Sequence, residues 1–364
     1  MNSGVNIVKQ VVCAAALFLA FAGISFAFED ERCELHASDT APRLCPYEPT
    51  TIGYTQDRDD SAFMDFKLSL MYQLFPHSFT RFQNQRVWSG LGDNSALYFA
   101  FTGRFGQYLG TRDSSPVVGK RFNPKLFYRF WYDEKHKNYV DVAYAHESNG
   151  QSIDSLAEYQ TSLAGTNDKN AVKDQLSRGW DYDEIIWKHV LYESDDRAKR
   201  IVPCEEEVCK QGFCENDACK QTFCKSDLCR EDGRQAEDRK TTITSYVDLK
   251  LFRPHGLLQG AQENYNAWEN DPEGKNRDRV SGIAIMIKLI ERGEYWIFQD
   301  LKTAALYETG FRETFRYNTY RLEVGTKYSQ LPITLWRQIG YNSDLAQYFK
   351  KVDSYGINLE IGSF

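Results

Sequence analysis

The chain has 364 residues and a formal net charge of −7 at pH 7, which is enough chain for one large domain or two. The acidic balance argues against nucleic acid as a partner, because a surface that binds phosphates needs an excess of lysine and arginine. Aromatic residues are abundant, with 23 Phe, 22 Tyr and 7 Trp, so the fold must provide apolar surroundings for many large rings.

Residues 1–27 have the features of a secretory signal peptide. Lys9 precedes the apolar segment Val11–Ile24, and Ser25–Ala27 resembles a cleavage site. Beyond this region no run of 18 apolar residues occurs, so the sequence predicts no transmembrane helix. An exported, aromatic-rich chain made of alternating segments is typical of an outer-membrane β-barrel.

The alternating segments predict an all-β fold, a twelve-stranded antiparallel transmembrane barrel over residues 51–364 that follows a periplasmic segment at 28–50. Each segment has about ten residues, the length of a tilted barrel strand. Twelve is an even number, as a closed single-chain bacterial barrel requires. The predicted strands are Thr51–Gln56, Met64–Phe75, Ser95–Phe105, Lys125–Trp131, Tyr139–His146, Trp180–Tyr192, Thr241–Phe252, Val280–Ile290, Tyr295–Leu306, Thr314–Gly325, Ile333–Tyr341 and Ser354–Ser363.

The order of the strands assigns their connections to two rims. Short turns are predicted at Asp133–Lys137, Glu291–Glu294 and Ser329–Pro332, at the rim away from His146. The longer connections are Gly106–Pro124, Glu147–Gly179, Arg253–Arg279 and Asn342–Asp353. Because such barrels have short periplasmic turns and long external loops, His146 is expected at the external end. The polar, helix-compatible insertion at 153–176 is expected to form an external flap.

A second insertion, at 197–239, contains a cysteine every five residues, and the strand order places it in the periplasm. Its cysteines are Cys204, Cys209, Cys214, Cys219, Cys224 and Cys229. In an exported protein, three local disulfides are the favoured interpretation. The spacing matches neither zinc knuckles nor haem attachment, and metal or redox capture, or a duplicated tract without a task, are the alternatives. Two further cysteines, Cys33 and Cys45, bracket a short N-terminal loop.

The strand Tyr139–His146 ends with a base and a hydroxyl on one face. Alternate residues of a strand point the same way, so Tyr144, His146 and Ser148 share the otherwise apolar face. An imidazole near a hydroxyl is the minimum for an activated serine nucleophile. Taken alone, the pair is weak evidence for catalysis, because a strand can also end in polar residues that are simply hydrogen-bonded.

Four segments, occurring in one order, resemble motifs of the outer-membrane phospholipase A family. His146–Ser152 (HESNGQS) resembles the family signature H-x-S-N-G-x-S, and Ser177–Asp181 (SRGWD) resembles its S-R-x-W-N segment. The other two are Ser114–Pro116 with Asn123–Phe127, and Tyr54–Gln56 with Phe66–Leu70. The resemblance implies a twelve-stranded barrel in the outer membrane that hydrolyses phospholipid acyl esters, with calcium and as a homodimer.

By position, the resemblance implies His146 as general base, Ser148 as nucleophile and Gly150 as the donor of an amide to the oxyanion. The residue that orients the imidazole falls on Asp181, where the family pattern has Asn. Aspartate suits this role because it accepts the Nδ1 hydrogen and stabilises the imidazolium. A carboxylate that faces lipid nevertheless costs more to desolvate than an amide does. Asp183 lies on the same face as Asp181, and the pattern gives it no role.

The resemblance also implies a set of calcium ligands. They are the carbonyl of Gln151, Ser177 and, from a partner chain, Ser114, with Asn270 or its neighbour Asp271 as a weaker candidate. Hard oxygen ligands suit calcium. The family has arginine where Gln151 stands, a change that a backbone carbonyl tolerates, and the family's interface glutamine is replaced here, which weakens the expectation of a stable dimer.

Three other interpretations fit part of the pattern. A secreted, soluble β-sandwich would show similar alternation. A barrel that kept the fold and lost catalysis would act as a passive pore or scaffold, although a channel has no use for His146 and Ser148 on its lipid face. A lipid A deacylase would share the chemistry but not these motifs. The favoured interpretation is hydrolysis of membrane phospholipids at either acyl position, and of lysophospholipids.

Overall fold

The computed structural model describes residues 44–57, 62–74, 95–108, 118–195, 240–258, 276–329 and 331–361. The predicted signal peptide, the cysteine insertion at 197–239, Ser114 and Asn270 lie outside these residues. Within them, Cys45 is disulfide-bonded, as expected for a cysteine of an exported protein. No helix in these ranges is both long and apolar enough to cross a membrane.

The described residues form thirteen strands and three short helices. All thirteen strands belong to one sheet, and the helices lie in the connections between strands. The strands are β1 Leu44–Pro46, β2 Thr50–Asp57, β3 Ala62–Leu74, β4 Ser95–Tyr108, β5 Val118–Trp131, β6 Tyr139–Ser148, β7 Gly179–Asp195, β8 Lys240–Phe252, β9 Gly282–Tyr295, β10 Phe298–Gly310, β11 Thr319–Tyr328, β12 Leu331–Gly340 and β13 Val352–Ile361. The helices are α1 Leu156–Ala164, α2 Lys169–Lys173 and α3 Arg277–Val280.

The sheet closes on itself. Consecutive strands pair antiparallel from β2 to β13, and β13 pairs back to β2 with Tyr355 opposite Gln56. Strand β3 pairs with β4 along one edge, so β1 and β2 share its other edge, where Leu44 lies opposite Tyr72 and Thr51 opposite Lys67. The two short strands therefore occupy one interrupted strand position. The predicted twelve-stranded antiparallel barrel is confirmed.

Some predicted strand limits are wrong. Strand β5 begins at Val118 instead of Lys125, and β11 begins at Thr319 because the preceding residues form a turn in which Phe315 has a φ of 70°. The predicted turn Glu291–Glu294 belongs to β9, and the chain reverses at Trp296, which has a φ of 59°. Charged residues at the end of a barrel strand reach the water beyond the membrane, so they do not by themselves mark a turn.

The outer surface of the barrel is apolar. Large side chains at alternate strand positions are exposed there, among them Leu126, Val142, Ile185, Leu322 and Leu335. A water-soluble protein rarely exposes contiguous apolar area of this extent, whereas the hydrocarbon of a bilayer requires it. The soluble β-sandwich is therefore the wrong interpretation.

The inward side chains that the structure describes fill the barrel. Arg129 binds both carboxylate oxygens of Asp141, at 2.7 and 2.8 Å, and Lys302 lies 2.6 Å from Glu360. Lys125 pairs with Glu184 in the same interior. Towards the rim away from His146, a cluster of buried residues comprises Cys45, Met71, Ala96, Tyr98, Ala100, Phe127, Trp131 and Ala143. Paired charges and stacked rings occupy the space that a pore would leave to water.

The insertion at 153–176 contains α1 and α2, as its composition predicted, and it packs onto the rim instead of standing away from it. Its residues Ile153, Val172 and Leu176 are buried against Ala346, from the connection between β12 and β13. The buried apolar contacts hold these two connections together. The expected external flap is thus a docked part of the rim.

Replacement of Arg129 should destabilise the barrel, because it leaves the buried Asp141 carboxylate without its partner. We expect Arg129→Met to lower the free energy of unfolding by about 3–5 kcal/mol, measured by urea unfolding in detergent micelles. Arg337 makes a similar pair with Asp353, but its side chain is 55% exposed, so Arg337→Met should cost less than about 1 kcal/mol. Equal costs would contradict this account of the interior.

Candidate active site

Strand β6 sorts its side chains onto two faces, as the sequence predicted. Asp141, Ala143 and Ala145 are buried inside the barrel, whereas Tyr144 and His146 point outward and are only partly covered. Ser148 is the next outward position after His146, two residues or roughly 7 Å further along the strand. The histidine and the serine are therefore neighbours on the lipid-facing wall, near the rim that carries the longer connections.

Strand β7 brings a carboxylate to the histidine. His146 is directly opposite Asp181 in the register of β6 and β7, and Ser148 is opposite Gly179. The Nδ1 of His146 lies 2.6 Å from Oδ1 of Asp181, whose side chain is 0% exposed. Because a carboxylate only accepts, Nδ1 carries the hydrogen, and Nε2 on the far side of the ring is left to take up a proton.

The other oxygen of Asp181 is also occupied. Its Oδ2 accepts from the hydroxyl of Tyr144 and, at 2.7 Å, from the backbone N–H of Leu258. Sequence reasoning missed both groups. The contact with the Tyr144 hydroxyl could have been predicted, because Tyr144 lies two residues before His146 on the same face of the strand. The contact with Leu258 could not, because nothing in the local sequence indicates that the connection after β8 returns to residue 181.

Asp183, which the sequence left without a role, is paired. Arg253 donates from Nε to one carboxylate oxygen at 2.8 Å and from Nη2 to the other at 2.9 Å. The guanidinium of Arg253 also lies over the ring of Tyr144, 5.6 Å from its centre. Asp183 is thus held in an ion pair with Arg253, next to the His146–Asp181 pair. Both of its carboxylate oxygens bind Arg253 and not the histidine.

The turn after Ser148 is built by Asn149, which is buried. Its side chain donates to the carbonyl of Leu176 at 2.6 Å and accepts from the N–H of Arg178 at 2.8 Å. Gly150 follows with a φ of +55°, a conformation that glycine adopts without steric cost. The bonds of Asn149 tie this turn to the start of β7.

Glu147, between the histidine and the serine, faces the interior. Its carboxylate binds Arg277 of α3 at 2.7 Å and Arg121 of β5 at 3.1 Å. These ion pairs fix the end of β6 from inside the barrel. The polar residues at the end of β6 thus divide between the two faces of the strand. Glu147 faces inward and anchors the strand, whereas His146 and Ser148, the candidate catalytic residues, face outward.

Two of the four predicted calcium ligands lie in the described ranges. Gln151 and Ser177 are on the adjacent segments that Asn149 joins, where the N–H of Ser177 donates to the carbonyl of Ile153 at 2.8 Å. Within those ranges, no group of three or more His, Cys, Asp or Glu side chains could hold a metal. A carbonyl and a hydroxyl are hard oxygen donors that fit calcium in kind, and further ligands must complete such a site.

Comparisons with known proteins bear on the fold. No protein-family model and no curated protein matches the sequence. Among solved structures, an active-site mutant of outer membrane phospholipase A from Escherichia coli is similar, with a TM-score of 0.51 and 14% identity over 93% of this chain and 98% of that one. The outer membrane phospholipase dimer of Salmonella typhi with bound calcium is similar with a TM-score of 0.50 and 13% identity, over the same shares of the two chains. The chain is a closed, twelve-stranded β-barrel of the outer membrane.

Proposed function

We propose that this barrel hydrolyses the acyl esters of membrane phospholipids and lysophospholipids, as a calcium-dependent phospholipase A1 and A2. The observation that carries the proposal is the 2.6 Å contact between His146 and the buried Asp181 on the lipid-facing wall, with Ser148 at the next outward position. A base held by a carboxylate beside a hydroxyl is the constellation that activates a serine. The sequence motifs and the fold of the similar structures support the same assignment.

The chemistry assigns one role to each side chain. The hydroxyl of Ser148 attacks the ester carbonyl carbon, while Nε2 of His146 takes its proton. His146 then gives that proton to the departing lysophospholipid oxygen, and an acyl group remains on Ser148. Water, deprotonated by the same imidazole, then attacks the acyl carbon. The bond from that carbon to Ser148 breaks, the imidazolium returns the proton to the Ser148 oxygen, and the fatty acid is released. Asp181 keeps the hydrogen on Nδ1 and stabilises the cation that forms on the ring.

The negative oxygen of the tetrahedral intermediate needs compensation. The amide of Gly150, in the turn that directly follows Ser148, is our candidate donor. Bound calcium would supply positive charge near this oxygen. Gln151 and Ser177 would hold the ion together with Ser114 of a second copy and Asn270, so the active form would be a homodimer.

The location of the site selects the substrate. His146 and Ser148 face outward, so a phospholipid reaches them sideways from the bilayer and not through the barrel. The alternative is an inactive barrel that serves as a pore or scaffold. The pore is disfavoured by the ion pairs that fill the described interior, and the scaffold is disfavoured by the three donors that surround Asp181 at the lipid face.

Removal of calcium should abolish most activity, and loss of one ligand should weaken the response to calcium. We expect Ser177→Ala to need roughly tenfold more calcium for half-maximal hydrolysis, the scale on which groups around a metal tune its binding. The measurement is fatty-acid release from mixed micelles against free calcium, with chemical cross-linking of the dimer in the same samples.

Ser162→Ala is the matched control, because Ser162 lies in α1 of the insertion that ends just before Ser177 and has no assigned ligand role. It should respond to calcium like the wild type. Full activity of a dilute, chelator-treated monomer would show that neither calcium nor pairing is required.

A further inference from the structure

We infer that Tyr144, together with the connection that follows β8, forms a clamp on Asp181 and is a positioning residue for His146. The clamp consists of the Tyr144 hydroxyl, the backbone N–H groups of Leu257 and Leu258, and Gly256. This inference deepens the proposed function and rests on it. It assigns a role to a tyrosine that never touches the ester and to a loop that lies far from Asp181 in sequence.

The clamp divides the two oxygens of the carboxylate. Oδ1 of Asp181 contacts only Nδ1 of His146 among the hydrogen bonds that the structure describes, whereas Oδ2 accepts from Tyr144 and from the N–H of Leu258. With Oδ2 held by two donors, the carboxylate cannot turn about its bond to Cβ without breaking them. Oδ1 therefore stays in line with the imidazole.

The tyrosine is itself fixed by the loop. Its hydroxyl accepts from the N–H of Leu257 at 2.7 Å, so its own hydrogen is directed at Asp181. Two successive amides of one connection thus bind the hydroxyl and the carboxylate. Gly256 makes this approach possible, because a Cβ at that position would lie 1.9 Å from Oδ2 of Asp181. A larger residue at 256 would have to displace either the loop or the carboxylate.

The clamp explains how the chain uses Asp where the resembling motif has Asn. A carboxylate buried at the lipid face is costly unless hydrogen bonds compensate its charge, and Asp181 receives three of them. The side-chain amide of Asn has one accepting oxygen, and its nitrogen only donates. It can therefore accept at one end only, whereas His146 donates to one end of the Asp181 carboxylate and Tyr144 and Leu258 donate to the other. The donors around residue 181 are matched to an anion.

The test removes the hydroxyl and keeps the ring. Tyr144→Phe should lower kcat roughly ten- to hundredfold, the range expected for loss of a hydrogen bond to a charged group, with KM unchanged because the hydroxyl faces Asp181 and not the lipid. Its pH–rate profile should also differ from that of the wild type. Tyr320→Phe is the matched control, since Tyr320 is an exposed tyrosine of β11, away from the site. Unheated gel migration reports whether each barrel has folded.

A double-mutant cycle separates positioning from a general packing effect. In an Asp181→Asn background, Tyr144→Phe should cost much less than it does in the wild type, because the hydroxyl no longer compensates a charge. Additive losses, or a Tyr144→Phe enzyme with the kcat and pH profile of the wild type, would overturn the clamp. Either result leaves the proposed function standing if Ser148→Ala is inactive.

The clamp can also be tested without measuring catalytic activity, so the test remains valid if the barrel proves not to be a hydrolase. The ¹⁵N spectrum of histidine-labelled protein reports which imidazole nitrogen carries the hydrogen, and His146→Gln identifies the signal of His146. The clamp predicts that hydrogen on Nδ1 in the wild type and a redistribution in Tyr144→Phe. An unchanged His146 signal would overturn the inference independently of any activity.

Discussion

Replacement of Ser148 by alanine should reduce phospholipid hydrolysis on the order of 10⁴-fold or more, the loss expected for the nucleophile of a serine–histidine–carboxylate site. The alanine variant keeps the strand, the His146–Asp181 contact and the turn at Gly150, so only the attacking oxygen is lost. Covalent labelling by a sulfonyl fluoride should disappear with activity. Both are measured on refolded barrel in mixed micelles with calcium.

Ser152→Ala is the control for this experiment. Ser152 is an exposed serine four residues further on, in the same segment but past the end of β6. Its replacement should leave labelling and hydrolysis close to those of the wild type. If Ser148→Ala still reacts with the sulfonyl fluoride, or if the label is found on another serine, Ser148 is not the nucleophile.

Strand alternation made the barrel predictable. The two faces of a membrane barrel meet opposite environments, hydrocarbon outside and polar groups inside, so the period of two is plain in strands such as β6. The same period placed His146 and Ser148 outward. Strands β6 and β7 are neighbours in chain order, and their register puts residue 181 directly opposite the histidine. These relations depend on local pattern and on the order of neighbouring strands.

Contacts between distant segments could not be predicted in this way. The connection after β8 reaches Asp181 through Gly256 and through Leu258, which is 77 residues away along the chain, and no repeat or spacing encodes that approach. The ion pair between Arg253 and Asp183 belongs to the same connection. Such loops are positioned by side-chain fit and individual hydrogen bonds, which a periodic pattern does not report.

Asp181→Ala should lower kcat by roughly 10³- to 10⁴-fold, the scale of loss when the orienting carboxylate of such a site is removed. His146 would lose the acceptor that keeps the hydrogen on Nδ1, and the Tyr144 hydroxyl and the Leu258 N–H would face a cavity without an acceptor. Asp181→Asn should fall between alanine and the wild type. Its oxygen can still hold Nδ1, but the amide neither stabilises the imidazolium as well nor accepts from every donor.

The measurement is the pH–rate profile of both variants on mixed micelles, with Asp183→Ala as the matched control. Asp183 is the next outward carboxylate on β7, and its partner is Arg253 and not the histidine. Its loss should therefore leave the profile near that of the wild type. If Asp181→Ala follows the wild-type profile and Asp183→Ala is inactive, the orienting group is Asp183, and the loop that surrounds Asp181 stabilises the barrel wall without serving the reaction.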